Sequence, residues 1–204
     1  MKKLESTWYN MAGVLTSIAL VAGAALASVN ALTKGPIEEL RIKSEQNAIS
    51  QVLGGGDVKV LSVDTLVWND CPYIVSDAGN KGMAIKAIDP LNASFGGGLT
   101  IMVGFDAQGD IKGYSVLQTN ETPGLGAKAS TWFQQGGKGC IIGMNPGDKP
   151  LTVSKDGGNV DAITASTITS RSFLRAVNAA YGAFKSKKTG ESSADGVSGA
   201  TAHK

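Results

Sequence analysis

The sequence predicts an α+β protein: one membrane-spanning helix at the N-terminus, then a single antiparallel-sheet domain flanked by helices. Three observations carry this. A long uncharged apolar stretch opens the chain, a series of short apolar runs follows, and one long amphipathic helix comes near the end. The chain has 204 residues, of which 18% are charged, with 27 Gly and two Cys. That composition excludes a disordered polyelectrolyte, a disulfide-dense scaffold and a coiled coil. The net charge of +2 resides in the first 34 residues, where Lys2, Lys3 and Lys34 face only Glu5. The rest is electrically balanced and lacks the basic footprint that nucleic-acid binding requires.

No charge occurs between Glu5 and Lys34. Residues 11–32 (MAGVLTSIALVAGAALASVNAL) would reach about 33 Å as a helix, close to the ~30 Å hydrocarbon core of a bilayer. Trp8 and Tyr9 stand where amphipathic rings favour the interface, and Asn30 is the one costly polar side chain. A cleaved signal peptide is the alternative, with Lys2 and Lys3 as its basic start and Ala25-Leu26-Ala27 as a cleavage site. The apolar stretch is longer than such a signal needs, which favours a retained span. Either way the following domain is expected outside the cytoplasm. Lys34, Arg41 and Lys43 blur the charge bias that would orient it. Residues 1–34 are therefore read as the membrane anchor, 35–187 as the domain and 188–204 as a Gly/Ser-rich mobile tail.

Gly35-Pro36 is expected to end the span. Residues 37–53 (IEELRIKSEQNAISQVL) place Ile42, Ile49 and Val52 or Leu53 at helical spacing, and Gly54-Gly55-Gly56 stops the helix. Residues 58–67, 73–75 and 82–88 read as strands. The runs at 99–105 (LTIMVGF) and 111–117 (IKGYSVL) flank Asp106-Ala107-Gln108-Gly109-Asp110, a strong hairpin signal. Residues 127–135 suit a short helix carrying Trp132 and Phe133. Further strands and turns are expected over 139–163. Over 168–187, Phe173, Leu174, Val177, Tyr181 and Phe184 recur at spacings of three and four along one helix face.

Two motifs carry chemistry. Glu121-Thr122-Pro123-Gly124-Leu125-Gly126 is a turn of fixed shape and little bulk, suited to close approach of a flat ring, although an ordinary turn has the same composition. In Asp161-Ala162-Ile163-Thr164-Ala165-Ser166-Thr167-Ile168-Thr169-Ser170, five hydroxyls run into the start of the amphipathic helix. The free amides and dipole of a helix start favour an anion, above all a phosphate, whereas simple N-capping needs only one hydroxyl.

Together, in this order and behind one span, these motifs resemble the FMN-binding domain of RnfG, a subunit of the Rnf ion-pumping electron-transport complex. NqrC of the sodium-pumping NADH:quinone reductase is a close relative and the runner-up. The resemblance covers nearly the whole chain. It implies FMN held covalently through a phosphoester to Thr167. It further implies Thr164, Ser166, Thr169 and Ser170 about the phosphate and ribityl oxygens, and Glu121, Thr122, Gly124, Leu125 and Gly126 against the ring or its polar tail. Thr164-Ala165-Ser166 stands where the commoner form reads Ser-Gly-Ala, so the turn at Ala165 must suit an L-residue. Ser198-Gly199-Ala200-Thr201 spells the commoner motif, but only three residues follow it and no helix can form there. Lys128 could offset phosphate charge or be a solvated lysine, and Trp132 could stack on the ring or pack in the core.

The implied role is electron relay within a membrane complex that couples ferredoxin and NAD to ion movement, with a separate flavin transferase installing the cofactor. A cofactor-free assembly module and a flavin-dependent reductase of small molecules are the competing functions. The only His, His203, lies in the tail and offers no acid–base centre. Cys71 and Cys140 are compatible with one disulfide or with two free thiols, and no C-x₂-C metal spacing occurs.

Overall fold

The computed structural model describes residues 7–56 and 58–190. Residues 191–204 of the expected mobile tail, Thr201 and His203 among them, and the basic residues Lys2 and Lys3 lie outside the described residues; Lys188 and Thr189, expected in that tail, instead belong to the last helix. The chain divides into two compact units, one ending at Ser44 and the other beginning at Glu45.

The first unit is helical. Its helix α1 (Trp8–Val52) is long and apolar enough to cross a membrane, by length and composition. The hydroxyls of Ser17, Ser28 and Thr33 donate to the carbonyls of Gly13, Ala24 and Val29, each at 2.8 Å. These bonds keep polar side chains satisfied on an apolar surface. The expected break at Gly35-Pro36 does not occur: Pro36 lies inside α1. Proline forfeits one amide bond. The flanking Glu38, Glu39, Leu40 and Arg41 are strong helix formers that carry the backbone onward.

The second unit takes in the last turns of α1, a five-stranded antiparallel sheet and two further helices. The strands are β1 (Ser62–Trp68), β2 (Cys71–Asp77), β3 (Met83–Ile88), β4 (Leu99–Phe105) and β5 (Ile111–Thr119). They pair in chain order as a meander. The hairpin between β4 and β5 forms as expected. Asp106 Oδ1 accepts the amides of Gln108, Gly109 and Asp110, each at 2.9 Å, and Gly109 takes the positive φ of +97° that the turn requires.

Because alternate residues of a strand face opposite ways, the sheet has two apolar faces. One receives the end of α1: Ala48, Ile49, Val52 and Leu53 bury against Ala84 and Met102. Gly104 and Gly113, paired across β4 and β5, let the Val52 backbone come close. A Cβ at Gly104 would meet the Val52 carbonyl carbon at 2.8 Å. Ile42, expected on this face, is instead half-exposed. The other face receives α3 (Thr167–Thr189), whose Phe173, Leu174, Val177 and Phe184 are buried as the spacing predicts, while Tyr181 stays partly covered. Phe133 stacks on Phe173 with ring centroids 4.4 Å apart. Tyr114 packs edge-on to Phe173 and donates to the Ala129 carbonyl at 2.6 Å. These contacts fix α2 (Ala129–Trp132). Cys71 and Cys140 are both free.

Two expectations need correction. The first strand starts at Ser62, with Val58 and Val60 packed as irregular chain beside Leu53 and Met102. Residues 139–163 form no regular strand; the chain makes only an isolated parallel bridge, Val153 with Val160. Gly139, Gly143, Gly147, Gly157 and Gly158, with Pro146 and Pro150, deny this segment a continuous ladder. Its apolar residues Ile141, Leu151, Val153, Val160 and Ile163 reach the core singly.

Candidate functional site

Strand β5 leads through Asn120 and Glu121 into Thr122-Pro123-Gly124-Leu125. The Leu125 amide donates to the Thr122 carbonyl at 3.1 Å, and Gly124 has φ +79°. Pro then Gly with positive φ is the signature of a type II turn. The chain continues through Gly126, where a Cβ would collide with the Glu121 carboxyl oxygen Oε2 and stand 2.8 Å from Thr169 Oγ1. Only glycine leaves room for that carboxyl group.

Glu121 is buried and ties three segments together. Its Oε1 accepts the Gly96 amide at 3.1 Å, and its Oε2 accepts the Thr169 hydroxyl at 2.9 Å. The Ser166 hydroxyl in turn donates to Thr169 Oγ1 at 2.9 Å. One carboxyl group thus joins the 94–98 loop, the 121–126 loop and the first turn of α3. Burying such a group is tolerated only because both oxygens are engaged.

At the start of α3, Ala165 has φ +61°, the left-handed region that L-residues avoid. This turn redirects the chain into the helix. Ser166 occupies the N-cap position but makes no capping bond, its hydroxyl being committed to Thr169. The first amides of α3 are left without that side-chain cap. Behind them the Ser170 hydroxyl donates to the Ser166 carbonyl and accepts the Ile163 amide, both at 2.9 Å.

These segments enclose a cleft of about 350 Å³ lined by Glu121, Thr122, Leu125, Gly126, Ser166, Thr167 and Thr169. Ala165 and Ile168, motif residues not expected to bind, complete the lining with Phe95, which lies outside both motifs. Phe95 is 75% exposed, and its setting in Ser94-Phe95-Gly96-Gly97-Gly98, one aromatic amid flexible residues, was the available sequence signal. Three of the expected binding residues stand off the lining: Gly124 shapes the 122–125 turn, Ser170 braces the 163–166 turn from behind, and Thr164 is exposed. Lys128 is exposed and does not line the cleft. Trp132 packs against the core and donates to the Asp161 carbonyl at 2.9 Å. The cleft has a polar side, the hydroxyls and free helix amides, and an apolar side of Phe95, Leu125 and Ile168. It can take an elongated ligand with an anionic end and a flat apolar end.

Residues 94–182 match the FMN-binding domain family, and every residue that lines the cleft falls within that span. The chain thus contains an FMN-binding domain. The chain is 30% identical over 203 residues to the G subunit of the Na⁺-translocating ferredoxin:NAD⁺ oxidoreductase complex of Acetobacterium woodii, covering 87% of this chain and 93% of that one. It is 30% identical over 189 residues to the G subunit of the ion-translocating oxidoreductase complex of Shewanella amazonensis, covering 81% and 82%. With the corresponding subunit of Cronobacter sakazakii it shares 32% over 166 residues, 76% and 79% of the two chains. The chain belongs to the RnfG family of Rnf-complex subunits.

Proposed function

We propose that this protein is a membrane-anchored electron carrier of an Rnf-type ion-translocating oxidoreductase, working through FMN esterified to Thr167. The observation that carries the reading is the cleft itself. Two motifs some forty residues apart in sequence line one cavity at the start of α3, with Thr167 on its wall.

The residues present fit the group. Helix amides without a side-chain cap suit a phosphate, and Phe95, Leu125 and Ile168 offer an apolar seat. When bound, FMN supplies one- and two-electron redox chemistry. The chain's own contribution is positional. Thr167 Oγ provides the point of attachment, and Ser166 and the first amides of α3 orient the phosphate. The Glu121 bonds hold the 94–98 and 121–126 loops against the helix so that the seat keeps its shape. A covalent link maintains a high effective concentration where free flavin is scarce. That would suit a domain on the extracytoplasmic side of the inner membrane, anchored by residues 11–32 of α1. In this reading the domain boundaries are 1–34, 35–187 and 188–204, a dedicated flavin transferase loads Thr167, and the electron partners are other subunits of the complex.

The test is a denaturing gel of full-length protein made with a flavin transferase and purified from membranes. Flavin fluorescence that survives denaturation, with a mass gain of FMN less water, is the expected result. Colourless protein of unmodified mass would favour the cofactor-free assembly module.

A further inference from the structure

Lys155 lies outside both motifs, on a short helical turn (Ser154–Asp156) beside the start of α3. Its Nζ is 3.4 Å from Thr167 Oγ1, the hydroxyl that the proposed function makes the attachment point. The turn is well held. The Ser154 amide donates to the Val160 carbonyl at 2.8 Å, and the Asp156 amide to the Val153 carbonyl at 2.9 Å. Asp156 takes a two-pronged pair from Arg171 of α3, Nε at 2.7 Å and Nη2 at 2.6 Å. That pair has two effects. It pins the turn to the helix, and it cancels the charge of the acidic residue next to Lys155. Arg171 is thereby committed, and Lys128, the basic residue nearest to the first motif in sequence, does not line the cleft. Among the described residues, Lys155 is the cation left facing the hydroxyl.

We infer that Lys155 is a positioning residue for flavinylation: its ammonium group receives the flavin phosphate beside Thr167 and neutralises the single charge that remains after esterification. This rests on Thr167 as the attachment site. In the loading step an O–P bond forms at Thr167 and the phosphoanhydride of a flavin dinucleotide breaks. A nucleoside monophosphate leaves, and the hydroxyl proton passes to the transferase. The dinucleotide is anionic throughout, so a fixed cation at the hydroxyl draws it into reach. Afterwards the linkage is a phosphodiester with one negative charge, which one ammonium matches. The α3 amides share the load but carry no full charge.

The experiment follows loading over time in the full-length protein with purified transferase and flavin–adenine dinucleotide, reading the mass of the Thr167 peptide. Lys155→Ala is expected to slow loading about tenfold and Lys155→Glu to slow it further, while Lys155→Arg restores most of the rate. Added salt should slow the wild type more than Lys155→Ala, because the screened attraction is then already missing. Lys128→Ala should load like the wild type. Thermal melting checks that the variants fold alike, which an exposed side chain leads one to expect. Lys155→Ala loading at the wild-type rate, or Arg failing to rescue it, overturns the inference while leaving Thr167 in place. Wild type without an adduct on that peptide overturns the proposed function and this inference with it.

Discussion

Ala165 holds a left-handed conformation, φ +61°, with its side chain exposed. For an L-residue this costs on the order of 1–2 kcal/mol, of which glycine's greater freedom in the unfolded chain would return a part. Ala165→Gly is therefore expected to stabilise the protein by about 1 kcal/mol, read as a higher urea midpoint with an unchanged slope. The motif tolerates alanine because Ser166, Thr169 and Ser170 lock the turn with side-chain bonds on either side. Gly126 is the opposite case. A methyl group there has no space beside Glu121 and Thr169. Gly126→Ala is expected to cost about 2 kcal/mol by overpacking, and to loosen the first turn of α3, measurable as faster amide exchange at Thr169 and Ser170. The hydroxyl excess in the sequence also resolves at this scale. Of the five, Ser166, Thr167 and Thr169 line the cleft, Thr169 also donating to Glu121, while Ser170 bonds protein groups behind it and Thr164 is exposed.

Among the elements, α3 does two jobs. Its apolar face fills the core, and its first turn forms one wall of the cleft. What sets its height on the sheet is polar: Asp89, 2% exposed after β3, accepts Arg175 Nη2 at 2.7 Å and Nε at 3.0 Å, and the Ser172 hydroxyl at 2.7 Å. Burial pushes the Asp89 carboxyl up, but the bonds from Arg175, Ser172 and the amides of Ala93 and Leu91 outweigh it and hold it below the usual carboxylate range. A lowered folded value contributes stability that is fully present above the unfolded pKa and is lost as pH falls through the folded one. Asp64, held down by Lys187, acts with the same sign at the surface. Acid titration of the urea midpoint should show a plateau near neutral pH and a fall on the acid side. Asp89→Ala is expected to cost about 3 kcal/mol at neutral pH and to flatten the acid fall. Elements with strong local periodicity were legible in the sequence: α3, the β4–β5 hairpin and the glycine stop after α1. Residues 139–163 were not, because their apolar side chains are spaced by tertiary need and no local period records that. Proline at 36 misled for a related reason, since a helix can absorb one missing bond when its flanks favour it.

At the scale of the molecule, the meander explains why the two motifs meet. Strand β5 delivers the 121–126 loop to one end of the sheet, and α3, lying on the adjacent face, brings its first turn to the same end. The motif residues were readable one by one, yet Phe95 and Lys155 were not. Both come from irregular segments, and their nearness to Thr167 or to its cleft exists only after the sheet has formed. By length and composition, helix α1 (Trp8–Val52) is apolar enough to cross a membrane, and its last residues Ala48, Ile49 and Val52 are buried. The central claim concerns a single bond, and peptide mapping of the full-length protein, loaded in cells and purified from membranes, tests it. FMN less water should be found on the peptide that contains Thr167, should persist in Thr201→Ala and should vanish in Thr167→Ala. An adduct on the peptide that contains Thr201, or none on either, would contradict it.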